Sequence, residues 1–286
     1  MQSLINKASE ILKAQSGEDV PEEVLLLQAE LNFKYPNTVK VANLISRNPE
    51  LLASFMQLVN TNITEKGRKV EDAKAAVQAL GLDEVNNIFL SAGLVNVLGA
   101  SASEKPILVH GAKAGIAAAE LSYWIFDVTR SEAYMVGLMQ NVGAIYMRRY
   151  DREGYAEVIK AQQAYPFSAY DKEIEQYQTN HAVIGGLACK KWDLDADIYK
   201  AIIFHHDKDF IIKTQNNDRV RHLTALIMLS NFIVAEIDDE NYLTQELKMA
   251  RDLGLKALDL PDNALRAARS AVTKWGNGMG LAMGSH

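Results

Sequence analysis

The sequence predicts an all-α protein, and three observations predict it. Proline is scarce, at 6 of 286 residues. The strong apolar periods are helical, and the sustained alternation with β-branched enrichment that marks strands is nearly absent. Val85, Ile88, Phe89, Ala92 and Val95 follow the stripe of a helix packed on one side. Leu138, Val142 and Ile145 repeat it, as do Ile198 and Ile202, and again Leu223, Leu226, Ile227, Ser230 and Val234.

Punctuation places the elements in order. Asn48-Pro49 ends one helix and opens the next, because proline fits the first helical turn and not the interior. Gly81 separates a helix ending at Leu80 from the one carrying Val85. The small, polar stretch from Gly99 to Pro106 marks a boundary between subdomains. Tyr165-Pro166 reads as a turn, Asn180 as the N-cap of a helix running to about Lys191, and Lys208 to Arg219 as a loop. The paired Gly185-Gly186 allows two helices to approach closely, and the glycine-rich segment from Gly276 onward reads as a loose tail. The expected organisation is an N-terminal helical bundle over 1–104, a larger helical bundle over 105–240, and a C-terminal helical extension with a flexible tail over 241–286.

Composition narrows the function classes. A formal net charge of -6 with no Lys/Arg run argues against non-specific nucleic-acid binding, which needs a basic patch to release counterions. Cys189 is the single cysteine, so there is neither an intrachain disulfide nor a CxxC knuckle, and a buried inert thiol is its default role. The N-terminus lacks the pattern of a secretory signal, and no run approaches ~20 uncharged apolar residues. A cytoplasmic protein without a membrane span is expected. Tyr123, Trp124 and Phe126 cluster in sequence, and core or interface packing is the expected role.

Four histidines stand in suggestive positions: His110, His181 and the adjacent His205 and His206. Ile198, Ile202 and His205 share one helical face, and an imidazole on an apolar face must find partners for its nitrogens or ligate a metal. On spacing alone these are hydrogen-bonded core or surface histidines. No HExxH motif is present.

The order His110, then His181 within NHAVIGGLACKKWDL, then IIFHHD resembles the HDOD domain, the HD-related output domain of bacterial signalling proteins. The segments VANLISRNPELLASFMQLVN and VEDAKAAVQALGLDEVNNIFL resemble that family's helical lead-in, and Glu173 falls where the family often has a glutamate. The resemblance implies an HD-like helical bundle and a signalling role beside a partner such as a response regulator or a kinase. In HD hydrolases, a first metal is held by a histidine, a His-Asp pair and a later aspartate. His110 matches the first; Gln140-Asn141 stands in place of the pair, and Asn231 in place of the later aspartate. Ala144 replaces a lysine that often follows the pair in HD-GYP enzymes. The resemblance also implies that His181, His205 and His206 match residues serving a second metal in two-metal relatives.

Both lost carboxylates have become amides, and a hydrolytic metal site needs anionic ligands to retain its ion and activate water. No catalytic residue is therefore assigned and no cofactor is expected. Two readings of the remnant pocket remain. In one, His110, Gln140, Asn141, His181, His205, His206 and Asn231 form a buried hydrogen-bonded network in a regulatory protein acting through protein contacts. In the other, His181, His205 and His206 hold Zn, Ni, Fe or Mn, either in a structural or sensing role or in a phosphohydrolase acting on nucleotides or cyclic dinucleotides. Oligomeric state is left open.

Overall fold

A computed structural model describes residues 2–15, 20–60, 70–98, 101–238 and 243–282. Among these the regular structure is helical, as the periodicity predicts. The chain divides into two compact units. One is Gly17–Gly99, and the other combines Met1–Ser16 with Ala100–His286.

The smaller unit holds α2 (Glu22–Leu31), α3 (Thr38–Ile45), α4 (Pro49–Leu58), α5 (Ala73–Leu80) and α6 (Leu82–Leu98). Three of their starts are written in short polar side chains that accept from otherwise unpaired backbone N–H groups. Asn37 caps α3, Asn48 caps α4 ahead of Pro49, and Asp72 caps α5. Gly81 ends α5 at φ +84°, a conformation that a side chain would strain. The core joins Val24, Leu27, Ile45 and Leu51 to Phe55, which meets Phe89 edge-on at 5.8 Å.

The larger unit begins with α1 (Gln2–Ala14) and resumes with α7 (Lys105–Leu121), α8 (Arg130–Met139) and α9 (Val142–Tyr150). It continues through α10 (Tyr155–Ala164), α11 (Ser168–Tyr177), α12 (His181–Lys191), α13 (Ala196–Phe204) and the short α14 (Phe210–Lys213). Three helices complete it: α15 (Asp218–Asp238), α16 (Gln245–Ala257) and α17 (Ala264–Ala282). Asn180 caps α12 through Val183 N at 2.8 Å, and a Thr129–Glu132 capping box opens α8. By length and composition α15 is apolar enough to cross a membrane. In the structure 67% of that window is buried, and the helix packs on α7, α8, α13, α16 and α17.

Four expectations are corrected. Residues 1–16 do not belong with the N-terminal bundle, because α1 buries Ala8 and Ile11 and packs on α9 and α12. Residues 243–282 are integral to the larger unit, with α16 on α15 and α17 on α7. The glycine-rich end does not interrupt α17, which runs to Ala282; residues 283–286 of the expected tail lie outside the described residues. The segment expected to be a loop also contains α14.

The tightest helix contact places the site. A Cβ on Gly143 would stand 1.9 Å from the His181 carbonyl oxygen and 2.6 Å from the Gly185 nitrogen, so α9 and α12 touch backbone to backbone beside Asn141 and His181. Gly185 is the partner in this approach; Gly143, which makes it necessary, was not singled out by the sequence. Gly143→Ala is expected to cost more than the ~1–3 kcal/mol of ordinary overpacking, since a carbonyl cannot swing away as a side chain can. Gly81→Ala, where the space is open and only φ is strained, is expected to cost about 1 kcal/mol. Urea unfolding of both variants checks the order.

Candidate functional site

Six helices converge on the remnant pocket. His110 lies on α7, Gln140 at the end of α8, Asn141 before α9, His181 at the first position of α12, His205 and His206 just past α13, and Asn231 midway along α15. Apart from Asn141, which lines the cavity, they form two groups with different chemistry.

In the first group the amides of Gln140 and Asn231 pair reciprocally. Gln140 Nε2 donates to Asn231 Oδ1 at 2.8 Å, and Asn231 Nδ2 donates back to Gln140 Oε1 at 2.6 Å. His110 Nε2 lies 3.0 Å from the same Asn231 oxygen, which makes it the donor nitrogen. Burial pulls the His110 pKa below its ordinary value, although the bond to Asn231 works the other way. The three groups are thus bonded to one another without a charge.

The second group is built on Glu173 of α11, which is fully buried. Its Oε1 accepts from Tyr155 Oη at 2.7 Å and from the His181 backbone N at 2.8 Å. Its Oε2 accepts from Gln162 Nε2 at 2.6 Å and faces His181 Nδ1 at 2.9 Å. Burial, and then the neighbouring Glu173, push the Tyr155 phenol well up, so it remains a donor.

These bonds fix the imidazoles. His181 Nδ1 faces the Glu173 carboxylate and therefore donates to it. His205 Nδ1 lies 2.6 Å from the Ile202 carbonyl and donates there, so a neutral His205 keeps its lone pair on Nε2. The two Nε2 atoms face each other at 3.3 Å. Beside them His206 is stacked on Tyr170, with ring centroids 5.1 Å apart; a ring N–H meets the Pro166 carbonyl, and Nδ1 has no partner. Coordinating atoms of His181, His205 and His206 all lie within 4.8 Å of one another. Burial, and then the charge that His181 would carry, bring the His205 pKa down to about 3. Burial, followed by His205 and His181, holds His206 well below its ordinary value.

Both groups border one small cavity of about 20 Å³, room for a water or two. Five of the seven sequence-selected residues line it: His110, Asn141, His205, His206 and Asn231. Gln140 and His181 stand behind it, joined to the lining by hydrogen bonds to Asn231 and His205. Sequence reasoning did not find Tyr155 and Gln162, although their spacing of seven along α10 puts both on one helical face. It also did not find Leu247 and Ala250 of α16, which close the cavity on an apolar side. Cys189 is buried on α12 and burial raises its thiol, as expected of an inert cysteine. Tyr123 and Phe126 are exposed instead of serving the core.

The fold has solved counterparts. A Shewanella amazonensis SB2B protein, provisionally called a phosphohydrolase, superposes with a TM-score of 0.70 at 18% identity, over 98% of this chain and 97% of that one. A Geobacter sulfurreducens HDOD domain protein of unknown function superposes with a TM-score of 0.66 at 17% identity, over 99% and 96%. An uncharacterized protein of Treponema pallidum (strain Nichols) is 23% identical over 223 residues, 77% of this chain and 42% of its own length. The chain therefore spans less than half of that relative. Residues 19–208 match the HDOD domain. The chain belongs to the HDOD family.

The neutral imidazoles set the acid response. His110, His205 and His206 are held below the ordinary histidine range while folded and return to about 6.5 on unfolding. The unfolded chain therefore binds more protons below that pH, so stability is undiminished above about 6.5 and falls as pH drops through 6 and 5. In chelator-treated protein each such histidine is expected to contribute a loss of up to about 1.4 kcal/mol per pH unit. Urea unfolding at pH 7, 6 and 5 checks this, and His205→Gln should flatten the slope.

Proposed function

We propose that this chain is a cytoplasmic HDOD regulatory protein acting through contacts with a signalling partner such as a response regulator or kinase, with a pocket that does not hydrolyse phosphate esters. The reading is carried by the reciprocal Gln140–Asn231 amide pair closed onto His110. Retaining a hydrolytic dication takes anionic ligands, and an amide oxygen already committed to two donors is a poor substitute. The buried Glu173 carboxylate accepts from Tyr155, Gln162 and the His181 backbone and points to none of the amide cluster. Surface chemistry supports the partner role. Tyr123 and Phe126 stand exposed on a loop braced by Arg219 to the Asp127 carbonyl at 2.6 Å and by His222 to Asp127 at 2.8 Å. Rigid exposed aromatics are the residues that anchor protein interfaces. A Marinobacter aquaeolei VT8 protein provisionally called a signal transduction protein shares the fold at a TM-score of 0.63.

One observation favours a second reading, compatible with the first in its regulatory form: a transition ion held by His181, His205 and His206. Their coordinating atoms lie within 4.8 Å of one another, and the buried His206 Nδ1 is bare. An all-nitrogen set suits Zn, Ni or Fe better than Mg or Mn. Glu173 would orient His181 from behind, as carboxylates do for metal-bound imidazoles.

Turnover of cyclic dinucleotides and nucleotides is expected to be absent with Mn, Fe, Ni or Zn. Metal-stimulated hydrolysis that disappears in His181→Ala and His206→Ala would sink the regulatory reading. Elemental analysis of tag-free protein, as purified and after reconstitution, tests the ion. The metal reading expects one equivalent in the native chain and loss of it in His181→Ala; no bound ion under either condition removes that reading.

A further inference from the structure

The second helix is apolar on more sides than its packing uses. In α2, Val24 and Leu27 are fully buried, while Leu25 and Leu26 face away at 52% and 37% exposure. Glu22, Leu25, Leu26 and Ala29 are all exposed and stand at i, i+3, i+4 and i+7, so they share one outer face. Phe33, Tyr35 and Val39 follow, each more than half exposed. These five large apolar side chains within residues 25–39 present roughly 500 Å² of apolar surface, the size at which such patches mark interaction sites. A helix apolar on both sides is normally covered on both.

The patch is held in place. The buried Glu30 carboxylate accepts from Asn37 N at 2.9 Å and pairs with Lys40 at 2.6 Å, which ties down the turn between α2 and α3. Lys34 lies over the Tyr35 ring at 5.5 Å. The charges around the outer face are ordered end to end. Glu22 and Glu23 occupy the first turn of α2, and Lys34 follows its last turn. Glu22 is 70% exposed and meets Arg47 only at 3.7 Å, a solvated contact of little strength.

A surface with acid at one end, base at the other and an apolar middle complements itself when turned end for end. That is what a twofold interface requires, since residue i meets residue j and j meets i. We infer that the outer face of α2 binds a second copy of this chain, in an antiparallel α2–α2 contact about a twofold axis. An axis between Leu26 and Ala29 sets Leu26 of each copy on the small Ala29 of the other. The same axis brings Glu22 of each copy to Lys34 of the other. The inference concerns the smaller unit alone and is independent of how the histidine pocket is read.

The test is analytical ultracentrifugation of the full chain between about 1 and about 100 μM, where reversible growth to twice the chain mass is expected. Ala29→Arg and Leu25→Glu, both at exposed positions, should each raise the dimer dissociation constant about tenfold or more, with native far-UV circular dichroism. Glu22→Lys and Lys34→Glu should each weaken the dimer about threefold. Both changes in one chain should restore it, because the reversed charges again complement each other. A chain that stays monomeric throughout overturns the inference and leaves the face to a different protein. A dimer unaffected by Ala29→Arg or by Leu25→Glu also overturns it, as does a double charge reversal that fails to rescue.

Discussion

The Glu173 carboxylate is fully buried and has donors on both oxygens: Tyr155 and Gln162 from α10, and the backbone and ring of His181 from α12. A carboxylate that deep costs several kcal/mol unless its lone pairs are all used. Three successive helices must therefore keep one relative position. The same interaction selects the His181 tautomer, aims its Nε2 at His205, and turns the Gln162 carbonyl away from Glu173. The electronic character of the pocket follows from that one buried anion.

Around it the old HD pocket has separated into halves. Gln140, Asn231 and His110 form a set in which each amide oxygen is used, so that half is structural. The imidazole half is not closed in this way, since His206 Nδ1 is buried without a partner. One half stabilises the bundle, and the other retains the capacity to hold something.

Much of this was legible in the chain. The helical stripes, the Asn48-Pro49 and Asn180 starts and the Gly81 break are local signals, and the structure follows each of them. The seven pocket residues were found through a family resemblance, and the structure brings them around one cavity and the layer behind it. What the sequence did not reveal is long-range. The role of Gly143 depends on a backbone 38 residues away at His181, and the cavity wall at Leu247 and Ala250 depends on α16 folding back onto α15. Nor does periodicity say to which body a helix belongs, which is why α1 was misplaced.

That misplacement carries a consequence for how the molecule is made. Gln15 Nε2 donates to the Tyr146 carbonyl across 131 residues, and Thr179 Oγ1 donates to the Leu4 carbonyl across 175. On the ribosome α1 emerges ahead of Gly17–Gly99, and its docking surface on α9 and α12 emerges long after that unit has had time to fold. During that interval the apolar stripe of α1 is exposed, and loop closure over so long a separation is slow. A helix made before the smaller unit thus finds its place only after that unit is complete, once α12 has arrived.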